Sequence, residues 1–274
     1  MKKSILFIFT ACFLFTTSCS DFLDEEHKTK YSSEYVFGTP EGLKLAVNAL
    51  YALQRYYAND TENATIFALE RGTDLAVTNG GTGNFYGIYD PNYLKPSASQ
   101  VGFMWRTMYQ IIGKANEIIA AAEDLEDTPS LRATVSEAKC FRAQSYFLLY
   151  RTFDRIWLNI QPTTAENVND PRDFHAASEK EVFDLIYEDL EYAITNLDWV
   201  SDEAGRFTQA AARHMKAKAA LWLKDWDTTL EQVEEIEKSG HFDLIALNEV
   251  FNAGDLNHKE ALMVQQWSKN PGGN

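Results

Sequence analysis

The chain has 274 residues, 45% of them hydrophobic and 13% aromatic, ample for a packed core, and this excludes a generally disordered protein. Its formal net charge of −15 repels phosphate backbones and argues against nucleic acid as a partner.

The first residues read as an address. Lys2 and Lys3 supply a positive start, Ile5 to Phe15 is almost wholly apolar, and the small polar residues Thr16, Thr17 and Ser18 lead to Cys19. That is the layout of a cleaved secretory signal. These eleven residues at about 1.5 Å each fall well short of a hydrocarbon core of roughly 30 Å, so the segment does not suit a permanent span. A cysteine at the first position after the cut suits lipid attachment, since its thiol can carry a diacylglycerol and its freed amine a further acyl chain. Each buried CH₂ contributes about 0.8 kcal/mol, so several chains anchor where one does not. Bacterial lipoprotein signals usually place Leu three residues before the cysteine; this chain has Thr16. The expected organisation is a signal peptide over 1–18, a lipidated linker over 19–38 and a helical domain over 39–274. Loss of 1–18 leaves 23 basic against 40 acidic residues, net −17. Of Cys12, Cys19 and Cys140, the first departs with the signal and the second is the anchor. Cys140 is then the sole thiol of the body, and its helical setting predicts a small buried apolar role.

Thr39-Pro40-Glu41 opens the first predicted helix with a hydroxyl cap, a proline at the first helical position and an acid near the positive end of the dipole. Leu43, Ala46, Leu50 and Leu53 continue it. The second carries Met104, Met108, Ile111, Ile112, Ala115, Ile118, Ile119 and Ala122 at helical period, with Trp105 beside that face. The third spans Leu131 to Phe153 and is very aromatic in its second half. The fourth opens with Ser178 and Glu181 as a capping box and aligns Val182, Leu185, Ile186, Leu190, Ala193, Ile194 and Leu197. The fifth covers Thr208 to Leu223. The sixth runs from Trp226 to Lys238, with Gly240 as its C-terminal cap. Glu260 to Trp267 holds the one short apolar run that suits a strand. Two segments break the helical rhythm: Glu70 to Ser99, and Trp157 to Ala177 with Pro162 and Pro171. Residues 210–240 place small alanines on one helix, a tight turn, then an amphipathic helix, in the style of a tetratricopeptide unit. Trp222 and Trp226 in this pair are expected in the core.

Several stretches together resemble the SusD/RagB-like outer-membrane lipoproteins of Bacteroidota. CSDFLD (19–24) is similar to that family's mature start, SEAKCFRAQSYFLLYRTFD (136–154) to its most recognisable helix, and RFTQAAARHMKAKAALWLKDWDTTLEQVEEI (206–236) to its tetratricopeptide-like pair. The family commonly follows its aromatic helix with Gly-Asp-Val-Pro, where this chain has Asp154-Arg155-Ile156-Trp157. The resemblance implies an all-α fold of tetratricopeptide-like helical repeats with long irregular ligand-facing loops, and a family length beyond this chain's, so that these residues form the N-terminal part. It implies a non-catalytic lipoprotein on the outer face of the outer membrane that binds glycans or oligosaccharides beside a SusC-like TonB-dependent transporter. Asp21, Asp24, Glu25 and Glu26 resemble a surface-export signal. No cofactor and no metal are implied.

A sugar ring offers an apolar C–H face and a rim of hydroxyls, so its binder needs flat aromatic platforms and planar amide or carboxylate partners. The loop over residues 71–93 supplies that mixture. Phe85, Tyr86, Tyr89 and Tyr93 can stack, Asp74, Asn79, Asn84 and Asp90 can hydrogen-bond, and glycines 80, 81 and 83 let the backbone approach a ligand. Trp157, Trp199, Trp222, Trp226 and Trp267 are further platforms in principle. Gly81-Thr82-Gly83 lacks the strand and helix of a nucleotide-binding fingerprint, the five histidines are scattered, and no serine elbow is present. A glycosidase needs two acids at fixed spacing, and the sequence picks out no such pair. Two other classes stay compatible with the chain: an anchored glycan-degrading enzyme, and a helical scaffold for protein partners.

Overall fold

The protein is described from a computed structural model over residues 31–59, 95, 99–171, 174–250 and 257–265. Glu34–Asn274 form one compact unit and Met1–Ser33 another. The described helices are α1 (Ser33–Gly38), α2 (Pro40–Asn59), α3 (Ser99–Ala122), α4 (Pro129–Thr152), α5 (Glu179–Asn196), α6 (Gln209–Leu223), α7 (Trp226–Lys238) and α8 (Leu247–Val250). Among the described residues there is no strand. The stretch expected to pair as one, from Glu260, is turn and irregular backbone as far as Gln265. A short apolar run finds no partner strand in an all-helical body, and a lone strand leaves its backbone groups unpaired.

Local chemistry starts and stops these helices. Thr128 accepts a hydrogen bond from the Leu131 N–H at 3.2 Å ahead of Pro129. Ser178 and Glu181 form the reciprocal capping box, Thr208 accepts from the Ala211 N–H and Asp225 from the Thr228 N–H. Each such cap is worth about 1 kcal/mol. The turn between α6 and α7 needs a left-handed residue, and Lys224 takes it at φ 60°, while Gly240 ends α7 at φ 70°. Gly42 lies where a Cβ would come 2.2 Å from the Tyr35 carbonyl oxygen, so only glycine lets α2 start so close to α1.

Successive helices pack on one another from α2 to α7, and α4 touches α2, α3, α5 and α6. The core runs through Leu43, Val47 and Leu50 of α2, Ile111, Ile112 and Ile118 of α3, Phe141, Tyr146 and Leu149 of α4, and Ile186 and Leu190 of α5. Each large aliphatic group so buried contributes about 1.5–3 kcal/mol. This is the tetratricopeptide-like all-α array that the sequence implied. Cys140 is buried and free, as expected of a small apolar filler. Trp105 packs edge-on against Phe153, centroids 5.0 Å apart.

Trp222 and Trp226 are not core residues: they are 48% and 57% exposed. The inner surface of α6 is given over to Ala210, Ala211, Ala212, Ala217, Ala219 and Ala220, and that of α7 to Gln232 and Ile236. Small residues bring these helices close and leave no room for indole rings, which turn outward beside Leu221, Leu230 and Val233.

Candidate functional site

Helix α4 is enclosed on nearly every side, yet carries Glu137, Lys139 and Arg142 at buried positions. A buried charge is tolerated only when paired: Arg206 pairs with Glu137 at 3.2 Å, and α5 provides the partner of the two cations. Asp189, fully buried, accepts from the Arg142 Nε and Nη2 at 2.8 Å each and from the Lys139 Nζ at 2.8 Å. Arg142 passes its remaining reach to α3, where Nη1 donates to the Asn116 Oδ1 at 2.8 Å. Asn116 is itself buried, and its Nδ2 donates to the Asn159 carbonyl at 2.7 Å. A polar relay thus crosses three helices and ends on the backbone of the segment that follows α4.

That segment is held twice more. The Tyr109 hydroxyl accepts from the Trp157 N–H at 2.9 Å and donates to the Trp157 carbonyl at 2.8 Å. The Tyr146 hydroxyl does the same for Asn159, at 2.8 and 2.9 Å. Burial pushes both phenols above their ordinary range, so each keeps the proton that makes the pair of bonds possible. On the other side, the Ile156 carbonyl accepts from the Ala177 N–H at 2.9 Å. The backbone is therefore clamped at alternate residues, 157 and 159, with Ile156 buried between helices.

Alternation puts the side chains of 157, 159 and 161 on one face of an extended segment. Trp157, Asn159 and Gln161 accordingly line one wall of a cleft of about 230 Å³, closed by Pro162, Thr163, Asn167 and Asp170. Asn167 holds the returning turn: its Oδ1 accepts from the Thr164 N–H at 2.8 Å and its Nδ2 donates to the Pro162 carbonyl at 2.9 Å. Phe174, 70% exposed, leans on Trp157 with ring centroids 4.8 Å apart and planes at 57°. The side chains of Asn159, Gln161 and Asp170 make no hydrogen bond or ion pair among the described residues. A rigid wall thus presents two aromatic rings beside two unengaged amides and a carboxylate, the donor and acceptor set that adjacent sugar hydroxyls require.

The loop residues singled out from the sequence, Asp74, Asn79, Asn84, Phe85, Tyr86, Tyr89 and Tyr93, lie outside the described residues, as does Cys19. Of the tryptophan platforms, Trp267 also lies outside the described residues, and among those described Trp157 alone borders this cleft. Trp199 lines a separate cavity of about 320 Å³, but His241 stacks on its ring at 6.2 Å and the Arg213 guanidinium sits 5.3 Å from its centroid. The protein's own groups therefore already cover that indole. The sequence named Trp157 as a platform but not Asn159, Gln161 or Asp170. The shared face of Trp157, Asn159 and Gln161 would have followed from period-two alternation in IWLNIQ (156–161), had the segment been read as extended. Among the described residues no cluster of His, Cys, Asp and Glu suits a metal ion, and no helix is long and apolar enough to cross a membrane.

The described helices thus form a tetratricopeptide-like array with a polar-aromatic cleft beside its central helix. Residues 21–221 match the SusD-like family described as "Starch-binding associating with outer membrane", and the chain belongs to that family. A SusD-like protein of Bacteroides ovatus is 25% identical over 292 aligned residues, covering 97% of this chain and 50% of its own. Among solved structures, a protein crystallised with a xylogluco-oligosaccharide superposes with a TM-score of 0.68 at 21% identity, covering 82% of this chain and 46% of that one. A laminarin-binding SusD-like protein gives 0.65 at 24% identity, covering 75% and 46%. At such identities these two likenesses establish the fold. The chain spans about half the length of the curated relatives it matches.

Proposed function

We propose that this protein captures glycans at the outer surface of the outer membrane and passes them to a SusC-like TonB-dependent transporter without cleaving them. Lipid on Cys19 tethers the chain, and the acids from Asp21 to Glu26 direct it outward. The helical body carries the sugar contacts, with the loop over 71–93 among them. What carries this reading is the family match over residues 21–221. The clamped wall of rings and amides at Trp157 supports it, because a capturing surface gains affinity from groups held in place before the ligand arrives.

Affinity gels cast with a panel of polysaccharides test it on the intact protein. Retarded migration with no reducing ends released is the expected result. Release of reducing ends would replace capture with hydrolysis, and neither retardation nor product would leave a scaffold for proteins. Palmitate labelling of the producing cells should mark the wild-type chain and not Cys19→Ala. Co-purification of a large β-barrel with the tagged protein tests the transporter.

A further inference from the structure

We propose that the cleft at Trp157 is a sugar subsite, and that it takes an uncharged ring in preference to a uronate or sulfated one. This rests on the glycan-capture reading and specifies the chemistry of one contact within it.

Three observations carry it. The first is preorganisation. Tyr109, Tyr146 and Asn116 fix the backbone at 157 and 159 through bonds of 2.7–2.9 Å, and the Asn116 Nδ2 also reaches the Gln161 carbonyl at 3.5 Å, so the wall loses little freedom when a ligand docks. The second is unspent polarity. The turn consumes the amide of Asn167, whereas Asn159, Gln161 and Asp170 line the cleft without partners of their own among the described residues. An amide presents a donor and an acceptor side by side, which matches two neighbouring hydroxyls. The exposed Phe174 ring, braced by Trp157, can cover the apolar C–H face of the same sugar.

The third is charge. The described lining includes Asp170 and no lysine, arginine or histidine. The nearest buried cation on the relay, Arg142, is already neutralised by Asp189. Among the described residues of the lining, a ligand carboxylate or sulfate would therefore meet one carboxylate and no counter-charge, on a chain of net charge −15. At about 5 Å in water-like surroundings that repulsion costs about fivefold in affinity. The cleft volume of about 230 Å³ is below the usual ligand-pocket range of about 300–1,000 Å³, which suits one ring of a longer chain and not a whole oligosaccharide.

The test is isothermal titration of the intact protein with maltoheptaose, laminarihexaose and a xyloglucan heptasaccharide, against oligogalacturonate of similar length. The expected result is binding of at least one neutral oligosaccharide, with oligogalacturonate weaker by fivefold or more. Asn159→Ala with Gln161→Ala should weaken the neutral ligand about tenfold at an unchanged melting temperature, since neither side chain holds the fold. Asp170→Asn should narrow the gap between the neutral ligand and oligogalacturonate, because it removes the carboxylate and keeps a hydrogen-bonding amide in its place. If the wild type binds a neutral oligosaccharide and the double variant binds it equally well, the subsite is wrong while glycan capture stands. A preference for oligogalacturonate overturns the charge argument. If none of the four ligands binds, the capture reading fails and the subsite with it.

Discussion

Tyr146→Phe removes one oxygen atom and nothing else from a fully buried ring, and so isolates the clamp on Asn159. The phenylalanine fills the same volume, so no cavity forms. What is lost is a hydroxyl that accepts from the Asn159 N–H at 2.8 Å and donates to its carbonyl at 2.9 Å. The Asn159 N–H then faces an apolar ring edge, while the Asn159 carbonyl keeps the bond from the Asn116 Nδ2 at 2.7 Å. An unsatisfied buried polar group costs about 1–3 kcal/mol, and water entering from the adjacent cleft recovers part of this, leaving roughly 1–2 kcal/mol for the N–H. The loss falls on the segment and not on the helices, because the rest of the Tyr146 ring stays packed. Local opening of residues 157–161 should become roughly 5- to 30-fold more populated. Native-state hydrogen exchange reads this directly: the Asn159 amide should lose that much protection while amides in the middle of α3 and α5 lose far less. Affinity at the cleft should fall in step, because the wall must be reordered on binding. Unchanged protection at Asn159 would refute the clamp, and an equal loss across all the helices would show that Tyr146 supports the core and not the segment.

Asp189→Asn should cost about 3–5 kcal/mol in urea unfolding, because it strands the Arg142 and Lys139 cations that now share one carboxylate; a loss under 1 kcal/mol would mean that water already reaches them. Burial raises the Glu137 carboxyl above its ordinary value of 4.5, against the pull of Tyr51 and Arg206. The folded state therefore holds that proton more tightly than the unfolded chain. Its contribution is full below pH 4.5 and declines as pH rises through the raised folded value. Wild type should hence gain stability relative to Glu137→Gln as the pH is lowered from 7 to 4, and a difference that does not vary with pH over that window would contradict the shift. Lys224→Gly should raise the unfolding midpoint by about 0.5–1 kcal/mol, since glycine occupies the left-handed conformation of the α6–α7 turn without a Cβ clash; a lower midpoint would locate the lysine side chain in a contact that matters more than its backbone.

The helices were legible because their signals are local. A cap needs a hydroxyl and an N–H three residues on, as at Thr128, Ser178 and Thr208. An amphipathic face needs only apolar residues recurring within a turn or two, as at Leu43, Val47 and Leu50. Such features bring the family likeness with them, and the sequence alone pointed to the all-α repeat fold. What it did not contain is any local mark of the residues that build the cleft. Tyr109 and Asn116 meet the 157–161 segment across 43–48 positions of chain, and Arg142 and Lys139 meet Asp189 across 47–50. In sequence those charges look like a solvated face; packing of α4 between α3 and α5 turns them into a buried relay. Trp222 and Trp226 went the other way, from expected core to surface, because close approach of alanine faces left the indoles outside. Periodicity reports which face of a helix is apolar, whereas whether that face is covered, and by what, depends on neighbours that are remote in the chain and adjacent only once it has folded.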